Sequence, residues 1–282
     1  MSGPYTKGKN IADLSWNRFL EDLGSDELNV RGGMSAAEYH NMAIPYPDTL
    51  PADQELLERL RKHLSQVMKK YRETSGSERE AITSLLTAHG TYCRNLGKPK
   101  WKRVHNVMAY RYADKNALTM RMIARKIGKC KEETDNDLME GQKNMVKLCC
   151  GYPSIASGST DAYGIVEDLL NNYHLLVVAA HVKAEELLPE DIKNIVLQMR
   201  KSTDQLIECL NTAIRVYELF CTGYDGIERR RLDVLMARYI EGRKTAPEMA
   251  KELNVGLSTV QNDCRMTIKR LSEIMFCKHV NM

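Results

Sequence analysis

The residues whose types and spacing point to chemistry lie near the C-terminus, in TAPEMAKELNVGLSTVQNDCRMTIKRL, residues 245–271. Thr259, Gln261, Asn262, Arg265, Lys269 and Arg270 fall on one side of a predicted helix that Ser258 opens. Side-chain amides both donate and accept, so Gln261 and Asn262 suit adenine, while the Arg265 guanidinium suits guanine. Hydroxyl and cationic groups grip phosphates. The expected chemistry is recognition of double-stranded DNA rather than bond making. Further phosphate contacts are expected from Arg229, Arg230 and Arg231, from the loop pair Arg243-Lys244, and from Lys251. Such contacts supply most of the affinity and make it salt-sensitive.

The elements that must position these groups are legible beside them. Met249, Ala250 and Leu253 give a short helix an apolar face, and Asn254-Val255-Gly256 reads as a tight turn in which Gly256 takes a positive φ. Ser258 is the expected N-cap of the next helix, with Gln261 completing a capping box. Val260, Cys264, Ile268 and Leu271 form the buried stripe of that helix, opposite the polar residues. The whole reads as a helix-turn-helix, with helix 258–275 in the major groove.

The same pattern recurs upstream. At an offset of 126, Ala124 meets Ala250, Ile127 meets Leu253, Asn136 meets Asn262, Asp137 meets Asp263, and Thr119 meets Thr245. After a two-residue loop gap, Met108-Ala109 meets Met236-Ala237. A repeat of this length implies duplication of one three-helix unit. The first unit differs in chemistry: Glu132, Glu133 and Asp135 open its second helix. Acid there favours the helix dipole and repels phosphate. Its surroundings are basic, and Arg121, Arg125, Lys126, Lys129 and Lys131 are secondary DNA-binding candidates. The alternative is a unit turned to packing and partner binding. Trp101, Tyr110 and Tyr112 read as core and boundary aromatics.

The predicted fold class is all-α, with two helix-turn-helix units, each preceded by longer helices. An arm over 1–50 precedes a helical domain at 51–150 that carries the first unit; its stripe is Leu56, Leu57, Leu60, Leu64, Val67, Met68 and Tyr71, and a second helix covers about 77–92. GYPSIASGST at 151–160 reads as a linker. A long helical hairpin follows at 161–224, then the C-terminal unit at 225–282. Ile165, Leu169, Tyr173, Leu176 and Ala180 mark one helix. The near-heptad stripe from Ile192 to Tyr217 predicts either a dimerisation element or an intramolecular core helix.

The chain has 282 residues, 43% hydrophobic and 28% charged, with a net charge of +4. That mild basicity permits a nucleic-acid partner without demanding one. No membrane span and no signal core are read, so a cytoplasmic location with reduced cysteines is expected. No metal-ligand spacing, phosphate loop or nucleophile motif stands out, so neither enzyme activity nor a cofactor is expected.

YDGIERRRLDVLMARYIEGRKTAPEMAKELNVGLSTVQNDCRMTIKRLSEIM resembles the fourth region of bacterial sigma factors, and more closely phage and prophage regulators of the ArpU type. Leu235, Arg238 and Tyr239 carry the middle motif of that resemblance, and Ile268, Leu271 and Ile274 its end. The resemblance covers the last 60 or so residues and implies promoter or operator recognition. No aromatic-rich segment like the one with which sigma factors melt DNA is present, so a full sigma factor is not expected. Two other functions fit the residues: a phage small terminase or packaging subunit, and a protein-interaction module acting, for example, on RNA polymerase.

Overall fold

The computed structural model describes residues 29–30, 34–35, 54–114, 116, 118–152, 161–222, 226–242 and 244–276. Most of the 1–50 arm, residues 153–160 of the linker, and Arg243 lie outside the described residues. The protein is all-α. Its one described β pairing is a two-residue antiparallel ladder, Asn29–Val30 (β1) with Met34–Ser35 (β2).

The first half holds α1 (Gln54–Lys69), α2 (Gly76–Asn95), α3 (Pro99–Met108), α4 (Met120–Ile127) and α5 (Lys131–Cys150). The second holds α6 (Ala162–Asn171), α7 (Tyr173–Ala179), α8 (Glu190–Thr222), α9 (Ile227–Leu235), α10 (Ala246–Glu252) and α11 (Leu257–Met275). One continuous hydrophobic core runs through both halves, and a small satellite of Val107, Leu118 and Ile123 lies under α4. The i, i+4 spacing of Leu60, Leu64 and Met68 buries one stripe of α1 against α5.

One expectation for the second half needs correction, and one of two alternatives falls away. The helix read across Ile165 to Ala180 is two helices, broken at Asn172, whose φ of −112 and ψ of 11 are not helical. The stripe of α8 is not an intermolecular seam: Ile192, Val196, Met199, Leu206, Leu210, Ala213 and Tyr217 are buried within the chain, where α8 packs on α5, α6, α9 and α11.

The repeat is structural and extends to individual hydrogen bonds. α3 and α9 each continue into one π-helical turn, Ala109–Ala113 and Met236–Ile240. The turns close with the same bond, from Asp114 N–H to the Ala109 carbonyl (3.0 Å) and from Glu241 N–H to that of Met236 (2.8 Å). This alignment puts Arg111 on Arg238 and Tyr112 on Tyr239, an offset of 127. The loop gap is therefore one residue, not two. The offset of 127 also runs back through α2, whose buried Ile82, Leu86, His89, Gly90 and Cys93 meet Cys209, Ala213, Val216, Tyr217 and Phe220, all buried on α8. By packing, α1 on α5 corresponds to α6 on α11. Each half is thus a five-helix unit, with α7 and the start of α8 inserted in the second.

Candidate nucleic-acid interface

The turn before α11 differs from expectation. Asn254, not Gly256, takes the left-handed conformation, at φ 51. A short polar side chain tolerates that region better than other non-glycine residues. Gly128 holds the equivalent place in the first unit at φ 68. Each turn carries the paired bonds of a Schellman ending: Lys129 N–H to the Ala124 carbonyl (3.0 Å) with Gly128 to Arg125 (3.3 Å), and Val255 to Ala250 (3.0 Å) with Asn254 to Lys251 (3.4 Å). Gly256 is instead the N-cap of α11, at φ −67 and ψ 151, so Ser258 lies inside the first turn and forms no cap. The capping box lies one helix earlier, where the Glu248 carboxylate accepts the Thr245 N–H (2.6 Å) at the start of α10.

α11 is amphipathic. Val260, Cys264, Ile268 and Leu271 are buried, while Ser258, Gln261, Asn262, Arg265 and Lys269 are exposed and Thr259 is half-buried. The exposed residues recur at helical spacing, so the amides and the guanidinium share one face. Lys269 shares its charge with Glu273 (3.8 Å). On α10, Lys251 is exposed, and Lys244 in the loop before it pairs with Glu252 (2.6 Å).

Not every expected cation reaches this face. Arg270 is 3% and Arg231 is 6% exposed, and both turn inward onto Glu228, itself 2% exposed. The Tyr217 hydroxyl donates to Glu228 (2.8 Å); burial, and then the Glu228 charge, push its pKa up. Asp263, 1% exposed, takes a bidentate pair from Arg230 (2.7 and 3.2 Å) and lies 3.6 Å from Arg231. Arg231 and Arg270 are therefore structural, because a buried carboxylate needs a paired cation. Arg230 is largely committed to Asp263, and Arg229 pairs with Asp233 (3.4 Å). The first unit repeats the clamp: Arg103 holds Asp137 at 2.5 and 3.1 Å.

The equivalent face of α5 carries Glu132, Glu133, Asp135, Asn136, an exposed Met139 in place of Arg265 and an exposed Lys143 in place of Lys269. Lys129 pairs with Glu133 (3.0 Å), Lys131 with Asp135 (2.8 Å) and Lys126 with Asp114 (3.6 Å), and Lys126 also lies over the Tyr110 ring (4.1 Å). Of the five secondary candidates, Arg121 and Arg125 are exposed with no ion pair among the described residues.

One juxtaposition escaped the sequence. His89 on α2 and His105 on α3 bring their Nδ1 atoms to 3.4 Å, and the Cys93 sulfur lies 3.6 Å from His89 Nε2. Burial drives the His89 pKa down to about 3, with the His105 charge adding to the effect; burial also lowers that of His105. The two are sixteen residues apart on different helices, and only the half-repeat, which puts Val216 and Leu232 in their places, marks them as a core contact. Among the described residues no cluster of three or more His, Cys, Asp or Glu is placed to hold a metal. No helix among them is long and apolar enough to cross a membrane.

No protein family and no solved structure matches the chain. It is 25% identical over 113 residues to alstonine synthase of Alstonia scholaris, a stretch covering 39% of this chain and 22% of that protein. The chain thus spans about a fifth of the length of the relative it matches, and the likeness establishes neither an enzyme nor a non-enzyme.

Proposed function

We propose that the protein is a cytoplasmic, sequence-specific DNA-binding transcriptional regulator of the phage or mobile-element type, in which α10 and α11 form a helix-turn-helix and α11 enters the major groove. The observation that carries this reading is the exposed face of α11, where Gln261, Asn262 and Arg265 stand together on a helix whose opposite side is buried. Asn262 and Gln261 read adenine and Arg265 reads guanine. Ser258, Thr259, Lys251 and Lys269 hold the flanking phosphates. The clamp of Arg230 on Asp263 fixes α11 against α9, so the reading side chains project from a rigid element.

The first unit reads DNA poorly by comparison. Lys129 and Lys131 are matched by Glu133 and Asp135 of α5, and Met139 replaces the guanidinium. That observation favours a packing role for the α5 face over a second operator half-site.

The test is equilibrium binding of a mixed-sequence duplex at two salt concentrations. Binding that weakens steeply with salt is expected. Absence of binding at low salt would overturn the reading and turn attention to a protein partner.

A further inference from the structure

The two halves differ in what lies on the outer side of α2 and of its counterpart, α8. In the second half, Leu206, Leu210 and Ile214 on α8 are buried. The end of α5 closes over the start of that stripe. The Tyr152 N–H donates to the Thr203 hydroxyl (2.8 Å), and Gly151 lies so close that a Cβ would strike the same oxygen. The first half thus covers the second. At the offset of 127 the counterparts on α2 are Arg79, Thr83 and Thr87, all exposed. Beside them, between α2 and α7, lies a groove of about 830 Å³, lined by Thr83, Ser84, Thr87, Ala88, Val177 and Val178.

The groove wall has the chemistry of a contact surface. A helix face left to water ordinarily carries charge. From Ala81 to Cys93, α2 holds no Asp, Glu, Lys or Arg. Threonine is also a weaker helix former than Glu or Lys, so Thr83, Thr87 and Thr91 do not serve the helix itself. Several of the hydroxyls are already partnered. Thr83 donates to the Arg79 carbonyl (2.8 Å), Thr91 accepts from Arg94 (3.1 Å), and Ser84 accepts the Lys183 N–H (3.3 Å). Covering them therefore orphans few polar groups.

The chain that precedes α1 is the arm, and it joins the body beside this groove. After Lys183, bonded to Ser84, the turn Glu185–Leu187 packs on α2, and Asp191 at the start of α8 pairs with Arg59 on α1. The arm meets α1 at Gln54, five residues before Arg59. Its apolar cluster is Trp16, Phe19 and Leu20, which lie outside the described residues. The 33 residues from Glu21 to Asp53 span up to about 110 Å when extended, so the cluster reaches the whole groove. Tethering also holds it there at high effective concentration.

We propose that the arm docks in the groove between α2 and α7, seating Trp16, Phe19 and Leu20 against Thr83, Thr87, Val177 and Val178. It covers the outer side of the first half as α5 covers that of the second. The end units of a stack of repeats need such a cap. The docking rests on the fold and is independent of the DNA reading.

The experiment uses the full-length chain carrying Trp101→Phe, which leaves Trp16 as its one tryptophan. Trp16 emission and acrylamide quenching are measured alone, with Thr87→Lys, which puts a charge in the middle of the groove, and with Thr87→Val, which keeps the size and adds none. Thermal unfolding is followed for each, and Thr83→Lys repeats the test one turn earlier should Thr87→Lys fail to fold. Docking predicts blue-shifted, protected Trp16 emission that does not depend on protein concentration. Thr87→Lys should shift it red and raise quenching to the level of the urea-unfolded chain, while Thr87→Val leaves it protected. Quenching at the unfolded level in the Trp101→Phe chain would overturn the proposal. Protection that neither lysine variant disturbs would overturn the groove as the site. Protection that grows with protein concentration would overturn docking within one chain and point to the arm of a second copy.

Discussion

Asp263 shows how one residue ties sequence to site. Its carboxylate is buried on α11 and receives Arg230 in bidentate fashion with Arg231 beside it. Removing one partner of a buried pair leaves an uncompensated charge, at a cost of about 3–5 kcal/mol. Asp263→Ala is expected to lose that much stability in urea unfolding, whereas Asp263→Asn, which keeps the shape and one acceptor, should lose less. The buried histidine pair makes a second prediction. Both His89 and His105 have folded-state pKa values below the unfolded value of 6.5. Between the two values the unfolded chain binds more protons, so their contribution is present above about pH 6.5 and is lost as pH falls toward 3. For His89, a drop to about 3 corresponds to roughly 3–6 kcal/mol at the acid end. Unfolding free energies at pH 7 and pH 5 should show the decline, and His89→Val/His105→Leu, the residues of the second half, should make it shallower.

At the scale of elements, the turn before α11 shows what sequence could and could not reveal. The apolar stripe of α11 and its exposed face follow from a 3.6-residue period, so Val260, Cys264 and Ile268 are legible as core and Gln261, Asn262 and Arg265 as surface. The cap was not legible. Glycine at 256 suggests a positive φ, but both units place the left-handed residue two positions before the N-cap, at Gly128 and Asn254, because the Schellman bonds end the preceding helix there. Asn254→Gly is therefore expected to be neutral or stabilising by up to about 1 kcal/mol, and Gly128→Ala destabilising by about 1 kcal/mol or more, in thermal unfolding. Arg231 and Arg270 were misplaced for another reason. A run of arginines reads as a solvated or phosphate-gripping face, and only tertiary structure shows that Glu228 and Asp263 lie beneath it.

At the scale of the whole molecule, the two halves repeat one five-helix plan and have diverged where it faces solvent. The second half carries two amides and a guanidinium on its exposed helix, while the first keeps one amide, Asn136, and has acid and methionine at Asp135 and Met139 in place of Gln261 and Arg265. The repeat was visible in sequence only from α3 onward, since the α2 and α8 counterparts share a buried stripe and almost no residue types. Within the second half, α7 meets the segment before α10 at His174 and Gly242. Gly242 has φ 63, and a Cβ there would strike the ring, whereas Gly97, at φ 64, has nothing within 4 Å. Gly242→Ala should therefore lower the melting temperature more than Gly97→Ala, and His174→Ala should recover part of the difference.

The central claim, that α11 reads bases, is tested most directly by selection of duplexes from a random pool with the unaltered chain and with Asn262→Ala/Arg265→Ala. The expected result is an enriched motif containing adenine and guanine contacts, lost in the double variant while residual salt-sensitive binding persists. Each bidentate pair is worth about 1–3 kcal/mol, so discrimination should fall by about tenfold to a hundredfold per contact. The same motif enriched by both proteins, or no motif from the unaltered chain, would contradict it.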